Sequence, residues 1–279
     1  MLELSPGMVT LSPDDTVAAG GVRASRTSEP EPTSEPHHHE LSRVLIVCIE
    51  GGIGAGKSTA LACVRRNFGA SRGVVILDEP VEAWDAAGLL RAMYDGTLNR
   101  GSFQHMALMS RAGPLLKAIN NPATNVIITE RSPWSDCFVF GQSNLTGIEL
   151  TNYMFTFEQL MSAFPKTVVP AFVLVDLPID VAQKRIRQRN RGAESTDDDS
   201  EGIPEDYLKT LQAKHETFLT AMEAKDYIVH RVDAQEEPEI VGEKLVASVK
   251  ELVRSMTDTP KSPTSVLGTT EELPKKNTA

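Results

Sequence analysis

Five short apolar runs, rich in β-branched residues, mark the middle of the chain: VLIVCI at 44–49, VVIL at 74–77, NVIIT at 125–129, AFVLV at 171–175 and YIV at 227–229. They are continuous rather than alternating, so each predicts a strand covered on both faces. Between them the spacing becomes helical. After the first run, Leu61, Val64 and Phe68 share one face and Gly69 supplies a stop. A longer helical region is predicted over about 85–120, with Gly113-Pro114 expected to kink or break it. Further helices are predicted over 147–163, 179–191, 204–224 and 238–256. This alternation predicts one α/β domain over 43–256: three layers, with a five-stranded parallel sheet flanked by helices.

The two ends follow neither pattern. Residues 1–42 include TSEPEPTSEPHHHE, which repeats Thr-Ser-Glu-Pro and offers nothing apolar to bury, so a disordered tail is expected. His37–His39 read as part of this low-complexity tract rather than as a metal site. A second disordered tail is expected over 257–279. The net charge of −10 argues against a nucleic-acid binder, which must neutralise phosphates over a broad face, but leaves room for a small phosphorylated ligand. No apolar run approaches the ~20 residues that cross a bilayer. Cys48, Cys63 and Cys137 lack metal-ligand spacing and suggest thiols in a reducing compartment. Glu3, Asp14 and Asp15 are unlike a mitochondrial presequence, so a cytoplasmic location is expected.

The first strand runs into EGGIGAGKST at 50–59. Gly51, Gly52, Ile53, Gly54, Ala55, Gly56, Lys57, Ser58 and Thr59 form a phosphate-binding loop whose glycines let backbone N–H groups face phosphate oxygens. Lys57 suits the outer phosphates and the Ser58 hydroxyl suits magnesium. The guanine-reading Asn/Thr-Lys-x-Asp of a GTP switch is missing from the chain. The second strand ends in LDEPVEAW, where Glu79 faces the crevice and Asp78 the other side. The third ends in TERSPWSD, bringing Glu130 and Arg131 to the same crevice. Taken singly, these charges read equally well as structural ion pairs. Together they supply a proton acceptor, a magnesium-side carboxylate and a charge stabiliser for phosphoryl transfer.

EGGIGAGKST, DEPVEAW, AMY, SFQHMALMSR, ITERSPWSDCFVF, RIRQRNR and GIPEDYL with KHETFL, in this order over about 44–256, resemble the deoxynucleoside kinase family. The resemblance implies transfer of the γ-phosphate of ATP, with Mg2+, to the 5′-hydroxyl of a deoxynucleoside. It implies Glu79 as the base, Arg131 near the transferred phosphate, and Glu130 with Ser58 on the metal side. Gln104 matches the residue that bonds the base edge and Tyr94 the one on the sugar 3′-hydroxyl. Ile53, Trp84, Leu90, Phe103 and Phe140 match the walls of the base pocket. Arg185, Arg187, Arg189 and Arg191 match an arginine-rich lid, with Arg185, Arg189 and Arg191 expected on the donor phosphates.

Arg111 follows Gln104 by two helical turns, which puts both on one face. With Asp136 it matches the pair in deoxycytidine and deoxyguanosine kinases, which implies deoxycytidine and purine deoxynucleosides in preference to thymidine. The lid departs from the family: Ser200 stands where a glutamate meets the sugar, leaving Glu201 or Asp199 as substitutes. The resemblance also implies a homodimer through the helices around 102–120 and 147–163. A thymidylate-type nucleoside-monophosphate kinase fits less well, because EPVEAW puts an acid and a bulky aromatic where acceptor-phosphate cations are needed. A non-catalytic nucleotide-binding regulator is disfavoured by the presence of Lys57, Glu79 and Arg131.

Overall fold

A computed structural model of the protein describes residues 43–165, 167–189 and 203–258. The expected N-terminal tail, nearly all of the C-terminal one, and Arg191, Asp199, Ser200 and Glu201 lie outside the described residues. The described residues belong to a single compact unit.

Strand β1 (Val44–Glu50) is buried along its whole length. Its side chains alternate between two cores. Val44, Ile46 and Cys48 enter one apolar cluster, and Leu45, Val47 and Ile49 enter the other. That is why the run reads as continuous. Around it the sheet has the order β2-β3-β1-β4-β5, all parallel, with β2 (Val74–Leu77), β3 (Val126–Glu130), β4 (Val168–Asp176) and β5 (Val229–Asp233).

α1 (Lys57–Phe68) and α10 (Pro238–Asp258) cover one face and pack on each other. The contact is close: Cys63 Sγ fills the space that a side chain at Gly242 would need. α4 (Arg100–Ile119), α7 (Gly147–Ser162) and α9 (Glu205–Glu223) supply the other face, where Phe172 meets Phe218 and Trp134 edge-on. All three cysteines are buried and free.

Four expectations need correction. The region 85–120 is not one helix: α2 (Val81–Ala86) and α3 (Leu89–Tyr94) precede α4, separated by turns at Gly88 and Gly96 with positive φ. Of the kink or break expected at Gly113-Pro114, the break does not occur: α4 continues through Pro114 to Ile119. β5 lies later than YIV: Tyr227 is buried under Phe172, and the strand itself is the polar VHRVD. Finally, a run of short helices after β3 was not anticipated: α5 (Pro133–Ser135), a π-helix (Asp136–Gly141) and α6 (Gln142–Asn144). The remaining helix, α8 (Ile179–Arg189), follows β4 as expected.

Candidate active site

Because the strands are parallel, the loops after β1, β2 and β3 open on one edge of the sheet, at the customary ligand position of such folds. They border a cleft of about 940 Å3. The loop residues Ile53 through Thr59 line it, as do Trp84, Leu90, Tyr94, Phe103, Gln104, Arg111 and Phe140, with Glu79, Glu130 and Arg131 between the two sets. Gly51 and Gly52 lie behind the loop, where their carbonyls accept from Lys57 Nζ at 3.2 and 2.8 Å. Gly51 has φ +142°, and a side chain there would run into the Val175 carbonyl of β4, so glycine is required. Burial and the neighbouring Arg131 bring Lys57 down to about 8.

Ser58 Oγ donates to Glu130 Oε1 at 3.0 Å. This hydroxyl–carboxylate pair beside the phosphate loop suits a hard cation that keeps most of its ligands from water and phosphate. No cluster of three or more acidic, histidine or cysteine ligands exists among the described residues.

Contrary to the expected separation, Asp78 and Glu79, which follow β2, both line the cleft, but they take different partners. Asp78 turns out to an exposed pair with Arg65 at 2.6 Å. Glu79 turns in, where Oε1 accepts from Arg131 Nε at 3.0 Å and from Arg111. Burial raises its pKa, but Arg131, Arg111 and Lys57 outweigh this and hold it at about 2. Arg131 also donates to Gly51 O at 3.0 Å and lies 4.5 Å over the Phe140 ring.

Among the aromatic residues, Arg111 sits 4.7 Å over Trp84, whose Nε1 donates to Ser110 Oγ at 3.1 Å and whose ring meets Phe103 edge-on. Gln104 and Arg111 face the same cleft from α4, as their spacing predicts. Arg111 does bond Asp136, but Asp136 is fully buried behind it rather than in the cleft. Burial pushes its carboxyl up to about 7 against the pull of Arg111. The π-helix puts Asp136 and Phe140 on these sides of Arg111 and Arg131.

From α8, Arg185 and Arg189 line the cleft, and Arg185 donates to Ala234 O at 2.9 Å. Arg187 is exposed and does not line the cleft. Sequence reasoning missed Asn144 and Tyr207, which also line it, and Glu50 and Ser132 beneath it. Tyr207 stood within the quoted GIPEDYL, but only the fold turns it inward.

The sequence model for deoxynucleoside kinase matches residues 47–254. The chain belongs to the deoxynucleoside kinase family. Its members are phosphotransferases, and this chain is a kinase of that kind. It is 30% identical over 213 residues to a thymidine kinase of Ictalurid herpesvirus 1 (strain Auburn), covering 74% of this chain and 86% of the viral one. With deoxycytidine kinase of Mus musculus it shares 27% over 254 residues, covering 78% and 94%. The structure of deoxyadenosine kinase from M. mycoides with bound dATP superposes at a TM-score of 0.58 and 22% identity, covering 74% and 99%, which supports the fold. No helix among the described residues is long and apolar enough to cross a membrane.

Proposed function

We propose that this deoxynucleoside kinase transfers the γ-phosphate of ATP to the 5′-hydroxyl of a deoxynucleoside lying between Trp84, Phe103, Gln104 and Phe140. The observation that carries this reading is the meeting of Glu79 with Arg131 between the loop and the aromatic residues that line one cleft. Lys57 and the loop N–H groups hold the donor phosphates, with Arg185 and Arg189 of α8 beside them. A magnesium ion held by Ser58 and Glu130 would neutralise charge on those phosphates. Arg131 stabilises charge at the transferred group. A carboxylate at about 2 is a weak proton acceptor, so Glu79 serves chiefly to orient the hydroxyl, as a loose transition state allows. Tyr94 meets the sugar.

The relatives' names point to three different bases, so preference must come from this chain's own pocket. Arg111, anchored by Asp136, presents a cationic donor and crowds a thymine methyl, which favours deoxycytidine and purine deoxynucleosides. The test is transfer from Mg-ATP to deoxycytidine, deoxyadenosine, deoxyguanosine, thymidine and dTMP. Deoxycytidine and the purine deoxynucleosides should turn over, and Glu79→Gln should lower kcat on the order of 100-fold or more. Arg111→Met with Asp136→Ala should raise the thymidine to deoxycytidine ratio of kcat/KM. Transfer to dTMP alone would overturn the assignment of the acceptor.

A further inference from the structure

Arg131 is bent into the left-handed region, with φ +64°, where a side chain normally disfavours the backbone. Strain at such a position persists only when the surroundings over-determine it. Several bonds do so here. Arg131 N–H donates to Ile49 O at 2.9 Å, and Arg131 O accepts from Thr129 Oγ1 at 3.1 Å. Ser132 and Ser135 cap the start of α5 reciprocally, each backbone N–H donating to the other's hydroxyl at 3.2 Å. The shortest of the set is Ser132 Oγ to Glu50 Oε1, at 2.6 Å.

Glu50 is an odd occupant of its site. It ends a strand whose other residues are all apolar, its relative exposure is 0%, and its second oxygen has no hydrogen-bond partner. A buried carboxylate so poorly satisfied is costly to the fold. Burial accordingly pushes its pKa up, and only its serine bonds and the cations Arg131 and Lys57 pull it back. An apolar residue would pack there at less cost. The geometry gives the carboxylate one evident task, which is to grip the residue following Arg131.

We infer that Glu50 is a positioning residue for phosphoryl transfer: through Ser132 it clamps the left-handed turn that holds the Arg131 guanidinium between Glu79 and Gly51. The inference rests on the reading that Arg131 serves the transfer, and it adds a second row of residues behind that arginine.

The test is a kinetic cycle on the full chain. Glu50→Ala lowers kcat on the order of 10- to 100-fold, as expected when a catalytic group is misplaced, while KM for ATP and deoxynucleoside changes little. Glu50→Gln keeps an oxygen for the Ser132 hydroxyl and recovers most of kcat. In an Arg131→Ala background, Glu50→Ala costs nothing further. A hole at position 50 threatens folding, so Ser132→Ala, which cuts the same bond from the other side, runs through the same cycle. Losses that multiply with that of Arg131→Ala, or variants that lower only the melting temperature, overturn the inference alone. An Arg131→Ala enzyme with undiminished kcat removes the reading of the site and the inference with it.

Discussion

Glu79 and Lys57 share one cleft and respond to burial in opposite ways. Lys57 sits near 8, so its proton leaves the folded protein as pH rises through that value. Phosphates would hold the proton on. Affinity for Mg-ATP should therefore be level below about pH 7 and weaken steadily above pH 8, by calorimetric titration. A flat profile through pH 9 would mean that Lys57 keeps its proton throughout or does not meet the phosphates. Glu79, held at about 2, stays ionised at every working pH and supplies no acid limb to kcat. Its sign for stability is that of a depressed carboxylate: the contribution is complete above the unfolded value of about 4.3 and is lost as pH falls towards 2. That Glu79 enters the cleft was legible in the sequence, because it follows the end of a parallel strand; the exclusion of Asp78 was not, because Asp78 lines the cleft as well. Nor was the burial of Asp136, because a position five residues beyond Arg131 says nothing about a π-helix.

At the scale of elements, the strands buried on both faces were the easiest to read. β4 is longer at its start than its apolar run because Pro170 looks like an interruption. The structure shows why it is tolerated: pairing with β5 begins opposite Phe172, whose N–H donates to Ile228 O, so a donor missing two residues earlier deprives no strand. β5 was misplaced because it lies at the sheet's edge, where polar residues are affordable and apolarity misleads. The break allowed for at Pro114 does not occur. A proline removes one helical bond and crowds the preceding turn, yet the packing of Leu108, Ala112 and Leu115 on the core keeps α4 whole. Pro114 is exposed, so Pro114→Ala should stabilise the protein by about 1–3 kcal/mol in chemical denaturation. A loss instead would mean that the proline sets the path of the helix carrying Gln104 and Arg111.

At the scale of the molecule, α4 and α7 pack together and leave Met109, Ile148 and Phe155 exposed at 51%, 81% and 62%. They lie on the two helices through which the resemblance implies a homodimer, where an association surface would need such side chains. We propose that this surface joins two copies of the chain. Sedimentation should then show a dimer for the natural chain and a monomer for Ile148→Glu with Phe155→Lys. A natural chain that sediments as a monomer excludes this, and a dimer that survives both changes moves the contact elsewhere. The phosphate loop has a different dependence. It lies near the start of the domain, but Gly51 is seated against Val175, and Gly54 against Ala182 and Ile186 of α8. The loop therefore depends for its seat on β4 and α8, which follow much later in the chain. A chain cut before them would carry the motif without those contacts and should bind Mg-ATP far more weakly than the full chain.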